Sequence, residues 1–518
     1  MNKQHQMIAA LLDSVAFGEV SGGVEHIQTH ISHVILAGDF AYKIKKPLDL
    51  GFLDFSTLDR RKFCCEEELR LNRRMAPELY LDVIPITGSL DAPGLSGDGD
   101  AIEYAVRMRR FPQSGLLSEA PPDRETILQL AQLVSGFHQS IPEADSSTTY
   151  GGAERVIQPM LENFSQIREI GVESLDTQRL DALEAWTIEQ AEQLRDLLGR
   201  RKQEGHIREC HGDMHLGNIT RYLGKLEIFD GIEFNPNLSW IDTFNDAAFL
   251  LMDLEYRGLH QEAALFLNEY LAQSGDYDGL PLLRFYQLYR AMVRAKVAAI
   301  LLAQAGRNEH DRQQIIQEFN GYLELAERYT HRTNPALFIA HGLSGSGKSL
   351  FSGWLAEALP AIHLRSDVER KRLFPDPGQT SGLGQGIYSA DATQHTYNHL
   401  QELAKTVMQA GHSVIVDATF LKADQRLPFS QLAADLDKLF LILDCVAPDE
   451  VLRERILSRQ EEGVDPSDAD LKVLELQMEN REPLNDQELA QRIEVDTTQF
   501  PPPGLLRQVS EHLSGNRS

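Results

Sequence analysis

Cysteine is scarce in this chain, and long apolar runs are missing. The four cysteines among 518 residues are spaced unlike any zinc-binding pattern, and a disulfide framework is implausible at this length. The longest apolar stretch, residues 298–306, is much shorter than the roughly 18 residues of a membrane-spanning helix. The N-terminus lacks the apolar core and cleavage site of a signal peptide. These absences predict a cytoplasmic protein without a membrane partner.

Basic residues are also few. Acidic side chains outnumber basic ones by 77 to 50, and the formal net charge is −27. Proteins that bind nucleic acid usually present a basic face, so nucleic acid is not an expected partner. The negative charge would attract a polycationic substrate, but plain solubility is the favoured explanation. The length predicts two to four domains.

One motif specifies a nucleotide site. Residues 342–349 read GLSGSGKS and lie between an apolar run of strand length and an amphipathic stretch. In that context glycines let backbone N–H groups turn toward phosphate oxygens, and the following helix adds its positive end. Lys348 is expected to reach the β- and γ-phosphates of ATP, and Ser349 to bind Mg²⁺. The predicted phosphate-binding loop comprises Gly342, Leu343, Ser344, Gly345, Ser346, Gly347, Lys348 and Ser349.

Strand-length and helical segments alternate after this loop. Apolar strands are predicted at 361–366, 412–419 and 438–445, and a long helix at 389–411. The alternation is typical of an α/β fold with a doubly wound parallel sheet, whose ligands bind at the carboxyl ends of the strands.

Four charged residues of this region are candidates for chemistry. Asp417 ends a buried strand and is predicted to hold Mg²⁺, with a strand-end cap as the alternative. Asp367 follows the strand 361–366 and is either a base for the acceptor hydroxyl or a helix N-cap. Arg455 and Arg459 share one face of a predicted helix, where they either clamp a phosphoryl group or stay solvated.

Four segments together resemble the small P-loop kinases, a superfamily that includes gluconate kinase, the zeta-toxin and chloramphenicol phosphotransferase types, and the kinase domain of polynucleotide kinase. The segments are GLSGSGKS, RSDVERKRLF, VIVDATF and LRERILSRQ. The resemblance spans about 336 to 500 and implies the fold, ATP and Mg²⁺. It does not imply the acceptor, because these relatives phosphorylate very different hydroxyls. A nucleic-acid end kinase is therefore an alternative function.

The first half contains a second set of phosphotransfer motifs. Residues 209–234 hold HGD, an asparagine five residues after the aspartate, a predicted hairpin and then FDG. This is the order of a kinase catalytic loop and metal loop. Asp213 is predicted to receive or orient the acceptor hydroxyl. Asn218 and Asp230 are predicted to bind Mg²⁺.

A smaller lobe is expected before these loops. Residues 33–46 read as two strands joined by a tight turn. Lys43 is predicted to reach the α- and β-phosphates, with Lys45 on the same strand face as the alternative. Glu68 is predicted to pair with the lysine from a helix over 64–74, where Glu67 is the competing choice.

The glycine-rich loop that usually covers a nucleotide in kinases is missing. The segment between the first two strands is QTHIS (28–32), which has no glycine. Thr29 and Ser32 are the residues that could offer hydroxyls to phosphate there. This departure weakens the prediction of a complete ATP grip in the first half.

HGDMHLGN, the FDG loop and the FAYK lysine resemble the aminoglycoside phosphotransferase and choline-kinase-like family over about 25 to 330. The resemblance implies a protein-kinase-like bilobal α+β domain, in which Asp246 supports the catalytic loop; a helix N-cap is its alternative role. As a whole, the chain resembles the bacterial family named bifunctional aminoglycoside phosphotransferase/ATP-binding protein. That label describes two domains and does not establish an antibiotic substrate.

We therefore predict two domains, residues 1–330 and 336–518, separated by HRTNP. Each half is expected to bind ATP and Mg²⁺ and to transfer the γ-phosphoryl group to the hydroxyl of a small molecule. The alternative from another class is that one half is a nucleotide-binding regulator. The first half, which lacks the glycine-rich loop, is the better candidate for such a pseudokinase.

Overall fold

The computed structural model describes most of the chain and divides it into two compact units. The described residues are 3–13, 15–17, 23–49, 51, 53–172, 176–303, 309–375, 387, 389–462 and 471–515, with the backbone alone at 459–462 and 514–515. Unit 1 comprises Met1–Tyr256 and Tyr286–Ala326, and unit 2 comprises Arg257–Phe285 and Glu327–Ser518. None of the described helices has the length and apolar character needed to cross a lipid bilayer.

The first lobe of unit 1 combines two helices with an antiparallel sheet. Its elements are α1 (Lys3–Asp13), β1 (Val24–Gln28), β2 (Ser32–Ala37), β3 (Phe40–Lys45), α2 (Leu58–Asn72), β4 (Tyr80–Ser89), β5 (Ala92–Leu95) and β6 (Glu103–Arg109). The six strands lie in the order β1-β2-β3-β6-β4-β5. Tyr42 and Ile44 of β3 pack with α1, whereas Ala41 packs with Cys65 of α2. Because side chains alternate along a strand, Lys43 and Lys45 share the face that is turned toward α2.

The helix that carries Glu68 begins earlier than the sequence predicts. The prediction over 64–74 is wrong at the start, since α2 runs from Leu58 to Asn72. The Thr57 side chain accepts a hydrogen bond from the Arg60 N–H and so caps the helix there. The charged first turns show little apolar periodicity, which is why the earlier start is hard to see in the sequence.

The second lobe of unit 1 is mainly helical. Its elements before residue 257 are α3 (Arg124–Ser140), α4 (Ala153–Ile170), α5 (Thr177–Gln193), α6 (Arg195–Gln203), β7 (Ile207–Glu209), β8 (Ile219–Tyr222), β9 (Lys225–Ile228), α7 (Pro236–Ser239), β10 (Trp240–Asp242) and α8 (Thr243–Tyr256). The β8–β9 hairpin is the predicted one, with Ile219 opposite Ile228. The HGD segment therefore lies between β7 and β8, and FDG directly follows β9. The bilobal, protein-kinase-like fold predicted for this half is confirmed.

Three helices connect the two motif-bearing regions. They are α9 (His260–Ser274), α10 (Leu280–Ala303) and α11 (Glu309–Thr330). Tyr286–Ala326, which holds most of α10 and α11, belongs to unit 1, whereas α9 belongs to unit 2.

Unit 2 contains the predicted doubly wound parallel sheet. Its remaining elements are β11 (Ala336–His341), α12 (Lys348–Ala358), β12 (Ile362–Arg365), α13 (Ser366–Leu373), α14 (Ala390–Gln409), β13 (Val414–Asp417), α15 (Ala423–Asp435), β14 (Leu439–Val446), α16 (Asp449–Glu462), α17 (Leu471–Asn480), α18 (Asp486–Ala490), β15 (Arg492–Asp496) and α19 (Leu505–Gly515). The strand order is β12-β13-β11-β14-β15, and every neighbouring pair is parallel. Strand β15 was not among the strands predicted from the sequence.

Helix α9 covers the edge of this sheet. Strand β12 is an edge strand, and Asn268 of α9 hydrogen-bonds to the backbone at its start, at Ala361 just before the strand and at His363 within it. The Asn268 amide donates to Ala361 O (3.0 Å), and its carbonyl accepts from the His363 N–H (2.7 Å). A side chain from α9 thus satisfies backbone groups that an edge strand would otherwise expose. The domain boundary predicted at 331–335 stays a prediction, and the compact units differ from it in placing α9 with the P-loop sheet.

We expect Asn268→Leu to destabilise unit 2 by about 1–3 kcal/mol, because two backbone groups of β12 lose their partners. Differential scanning calorimetry of the full chain would show a lower unfolding temperature. Asn398→Leu, at an exposed position of α14, is the matched control. Equal unfolding temperatures for the two variants would contradict the role given to α9.

Candidate functional site

A lysine and two carboxylates from three separate elements meet in unit 1. Lys43 Nζ of β3 lies 2.8 Å from Glu68 Oε1 of α2 and also pairs with the Asp230 carboxylate. Burial opposes the charge of Lys43, yet Asp230 and Glu68 together raise its pKa well above the ordinary value. Lys43, Glu68 and Asp230, which were all predicted from the sequence, thus lie together as one group of paired charges.

Lys45 lies beside this group and has a carboxylate partner of its own. Its Nζ lies 2.7 Å from Glu68 Oε2, and it also pairs with Glu233, which follows the FDG segment. Burial alone would raise the pKa of Glu68, but the charges of Lys43 and Lys45 lower it to about 2. Glu67, the alternative partner, pairs with Arg70 at 2.7 Å instead. Glu68 is therefore shared by both lysines.

The metal loop is held by side chains of the first lobe. Asp230 has a φ of +63°, a left-handed backbone conformation that is uncommon for residues other than glycine. Its N–H donates to the Tyr80 hydroxyl (3.1 Å), and the next N–H, of Gly231, donates to Asn72 Oδ1 (2.7 Å). Asn72 in turn donates to the Glu68 backbone carbonyl (2.8 Å). The loop and the helix that carries Glu68 are thereby fixed to each other.

Asp213 and Asn218 lie together in the catalytic-loop segment. Asn218 Nδ2 donates to Asp213 Oδ2 (3.0 Å) and to the Asp213 backbone carbonyl (2.9 Å). Burial would raise the pKa of Asp213, but His215, Arg294 and His211 outweigh it and hold the pKa below the ordinary value. Asp213 is therefore ionised at neutral pH, which is the state that accepts a hydrogen bond from a hydroxyl.

Asp246 supports this segment from α8. Its carboxylate accepts hydrogen bonds from the backbone N–H groups of His211 (3.0 Å) and Gly212 (2.8 Å) and contacts His138 Nε2 (3.1 Å). Arg290 of α10 donates to the Gly212 carbonyl (2.9 Å). Asp246 is fully buried and lies within the first turn of α8, after its start at Thr243, so it serves the loop and not the helix N-cap.

A cavity of about 1370 Å³ in unit 1 connects these residues. Lys43, Asp213 and Asp230 line it, together with side chains of α4 and α10. A site for one small ligand typically occupies about 300–1,000 Å³, so the cavity has room for two substrates.

The glycine-free turn between β1 and β2 is closed by its own hydrogen bonds. Thr29 Oγ1 accepts from the Ser32 N–H (3.0 Å), and Lys46 donates to the Thr29 carbonyl (2.5 Å). The buried Ser32 hydroxyl has no hydrogen-bond partner among the described residues. Of the two residues named in the sequence analysis, Thr29 lines the cavity, whereas Ser32 is fully buried.

The P-loop of unit 2 depends on two glycines. Gly342 and Gly345 have φ values of +144° and +80°, which side chains disfavour. A Cβ at Gly342 would lie 2.6 Å from Cys445 O, and one at Gly345 would lie 2.7 Å from Leu452 O. The buried Ser346 hydroxyl finds no partner in the described part of the chain. The loop leads into α12, whose first residue is Lys348 and whose N-cap is Gly347.

Lys348, Ser349 and Asp417 lie at the carboxyl edge of the sheet. Lys348 Nζ donates to the Leu343 carbonyl across the loop (2.8 Å). Asp417 ends β13 beside Ala340 of β11, and His363 Nε2 contacts its carboxylate at 3.2 Å. Burial would raise the pKa of Asp417, but His363, a hydrogen bond from Ser349 and the charge of Lys348 lower it. This carboxylate, with the Ser349 hydroxyl beside it, is a donor set that suits Mg²⁺.

Asp367 faces the same group of charges. Its pKa is raised by burial and by the nearby charge of Asp417, against the opposing effect of Arg370, Lys348 and Arg365. The N-cap of α13 is Arg365, so Asp367 lies inside the first turn and is not the capping residue. Two carboxylates whose pKa values are pushed apart are typical of an acid–base site.

Arg455 contacts the P-loop from α16. It donates to the Thr497 carbonyl (2.6 Å), to the Thr497 hydroxyl (3.2 Å) and to Gly345 O (3.4 Å). It is thus bound to the end of β15 and is not a freely solvated side chain. Arg459 lies in the same helix, and its side chain is outside the described part of the structure.

Sequence reasoning did not find several residues that shape the site in unit 1. They are Asn72, Tyr80, His138, Glu233 and Arg290. Glu233 stands three residues after Asp230, and its position just after the predicted FDG motif was an available signal. The other four act across large sequence separations and belong to no motif.

Known proteins resemble both parts of the chain. Residues 337–484 match the protein family described as "AAA domain", which confirms the predicted P-loop domain. The "Uncharacterized protein Rv2004c" of Mycobacterium tuberculosis is 30% identical over 440 residues, or 83% of this chain and 85% of the mycobacterial protein.

Two solved structures resemble one half each. A gluconokinase from Sinorhizobium meliloti 1021 is 22% identical and covers 36% of this chain and 93% of its own, with a TM-score of 0.25. A choline/ethanolamine kinase family protein from Mesorhizobium loti is 12% identical and covers 63% of this chain and 99% of its own, with a TM-score of 0.35.

We expect Lys45→Met to destabilise unit 1 by about 3–5 kcal/mol, because Glu233 would become a buried charge without its partner. Denaturant unfolding at neutral pH measures the change. Adding Glu233→Gln should recover part of the loss, since Glu68 keeps Lys43. Lys225→Met removes an exposed lysine and is the control. A similar, small loss in both single variants would show that the Lys45 pair does not stabilise the site.

Proposed function

This chain belongs to the family of the mycobacterial protein Rv2004c, and we propose that it is an ATP-dependent phosphotransferase with a nucleotide site in each unit. The proposal is supported by one arrangement of charged residues that occurs in both units. In each unit a buried or half-buried lysine lies next to carboxylates at the end of a strand: Lys43 beside Asp230, and Lys348 beside Asp417. A triphosphate with its metal needs this combination of cationic and anionic groups.

In unit 1 the proposed proton acceptor is the carboxylate of the catalytic-loop segment, Asp213. Asp213 is ionised, and the amide of Asn218 fixes its orientation. It would accept the hydrogen bond of the acceptor hydroxyl and receive its proton as the oxygen attacks the γ-phosphorus. Lys43 would neutralise charge on the phosphates while Glu68 holds its ammonium group in place. The bond formed is from acceptor oxygen to phosphorus, and the bond broken releases ADP.

In unit 2 the backbone does most of the binding. The N–H groups of residues 342–349 and the N-terminus of α12 would surround the phosphates, and Lys348 would exchange its Leu343 carbonyl for a phosphate oxygen. Asp367, whose pKa is raised, would take the proton of the acceptor hydroxyl. Arg455 would oppose charge that develops on the transferred group.

The residues of both units fit a divalent cation. Asn218 and Asp230 in unit 1, and Ser349 and Asp417 in unit 2, offer the oxygen ligands that Mg²⁺ prefers. Bound there, Mg²⁺ would neutralise phosphate charge during transfer. A transition state with charge spread over phosphate oxygens requires such neutralisation.

A second function is favoured by one observation. The β1–β2 turn lacks glycine and is closed by Thr29, Ser32 and Lys46, so it offers fewer groups to phosphate than a glycine-rich loop does. On that reading unit 1 is a nucleotide-binding regulator, and unit 2 alone transfers phosphate. The Asp213 experiment below separates the two functions.

Lys348→Ala should weaken nucleotide binding to unit 2 by more than about 100-fold, because a charge-assisted contact to phosphate is lost. Equilibrium binding of a non-hydrolysable ATP analogue to the full chain would fall by one equivalent. Lys438→Ala, at a half-buried lysine that precedes β14 at the opposite edge of the sheet, should change nothing. Undiminished stoichiometry in the Lys348 variant would contradict the assignment of the P-loop.

Asp213→Ala should lower phosphoryl transfer by unit 1 at least about 100-fold while leaving its fold and nucleotide affinity intact, since the carboxylate serves proton transfer. Turnover is measured in the full chain carrying Lys348→Ala, so that unit 2 is silent. A regulator would show no activity before the change and none after it. Unchanged turnover would contradict the role of Asp213.

A further inference from the structure

The cavity of unit 1 has a part that the nucleotide chemistry does not use. Lys43, Asp213 and Asp230 serve phosphate and proton transfer, yet much of the lining comes from α4 and the following turns of α10. At about 1370 Å³ the cavity is larger than a single nucleotide needs. The wall formed by α4, α10 and residues 235–237 is therefore the place for the acceptor.

Neutral amides are frequent among the polar side chains of this acceptor wall. Five of them line the cavity: Gln158, Asn163, Gln166, Asn235 and Asn237. An amide both donates and accepts hydrogen bonds, as a hydroxyl does, so the two groups satisfy each other without charge. Tyr289, Val293, Val297 and Ile300 of α10 add an apolar surface. The combination suits a molecule with many hydroxyls and an apolar face.

Acidic side chains are the minority among the charged residues of the acceptor wall. Glu162 and Glu169 line it together with Arg155, Lys296, Arg290 and Arg294. The last two are bound within the fold, Arg290 to the Gly212 carbonyl (2.9 Å) and Arg294 to Glu318 (3.5 Å). Glu162 is also engaged, since Gln158 Nε2 donates to its carboxylate at 2.8 Å. Burial lowers the pKa of Lys296, and the charge of Glu162 opposes that effect, so the two groups lie near each other. The described residues of the wall thus present no surplus of negative charge, although the whole chain carries −27.

One amide of the wall is prepared for a ligand. Asn163 is 1% exposed, and its Nδ2 has no hydrogen-bond partner among the described residues. A buried donor without a partner is destabilising, and a ligand oxygen that accepts its hydrogen bond would relieve that cost. Asn163 is therefore placed to donate to an oxygen of the acceptor.

We infer that the acceptor of unit 1 is a neutral, polyhydroxylated molecule such as a sugar or glycoside, and not a polycation. The inference rests on the proposed phosphotransferase function. A cavity that selected a polycation would need acidic side chains in excess, because attraction between opposite charges drives such recognition. On the amide-rich wall basic side chains outnumber acidic ones, so that excess is missing.

The test uses the full chain carrying Lys348→Ala, so that transfer comes from unit 1 alone. A small-molecule bacterial extract is separated by ion exchange into cationic, anionic and neutral pools, with kanamycin as a defined polycation. Each pool is incubated with ³²P-labelled ATP, and label transfer is compared with that of the same protein also carrying Asp213→Ala. We expect Asp213-dependent product from the neutral pool and none from kanamycin.

The other outcomes separate the two claims. Product from the cationic or anionic pool alone, or from kanamycin, would overturn the neutral acceptor and leave the phosphotransferase function standing. No Asp213-dependent product from any pool would overturn the proposed function of unit 1 and this inference with it.

Asn163 provides a second readout once an acceptor is in hand. Asn163→Leu should raise the KM for the acceptor about tenfold, through the loss of one hydrogen bond, and leave the KM for ATP unchanged. Ser165→Ala, at an exposed position of the same helix, is the control. Equal acceptor KM values in the two variants would exclude Asn163 from the site. For the parent, an acceptor KM that rises steeply with salt would contradict a neutral ligand.

Discussion

The structure depends on lysine ammonium groups held against carboxylates in places where water is largely excluded. In unit 1 Glu68 lies between Lys43 and Lys45 and is fully buried, so neither lysine can leave without a compensating charge. Because Lys45 pairs with Glu233 and shares Glu68 with Lys43, Lys43 could exchange Asp230 for a phosphate while it keeps Glu68, and the Asp230 carboxylate would then be available to Mg²⁺. The arrangement would explain how the proposed site accepts an anion as highly charged as ATP.

Two unrelated folds each bring a lysine next to a carboxylate. Unit 1 brings Lys43 from an antiparallel strand to Asp230, whose backbone is fixed by Asn72 and Tyr80. Unit 2 places Lys348 at the start of a helix and Asp417 at the end of a parallel strand, so that sheet topology alone makes them neighbours. Because function lies in the site and not in the fold, the two proposed phosphotransferase halves need not share a substrate class.

Sequence patterns predicted those features that are local or follow a strict period. The two-residue period of β3 placed Lys43 and Lys45 on one face, and the GLSGSGKS loop between a strand and a helix predicted the phosphate cradle. Contacts across long separations were not predictable: Asn72 with Gly231, Arg290 with Gly212, and Asn268 with strand β12. Each contact depends on tertiary packing, which the spacing of residues along the sequence does not reveal. The sequence did not predict the start of α2, because its first turns are rich in charged residues and show little apolar periodicity.

The most direct test is a crystal structure of the full chain with a non-hydrolysable ATP analogue and Mg²⁺. Our account predicts nucleotide in both units, with Lys43 moved from Asp230 to a phosphate oxygen while it still contacts Glu68. It also predicts Lys348 on the phosphates in unit 2. Nucleotide in one unit only, or a Lys43–Asp230 pair that persists beside bound nucleotide, would contradict it.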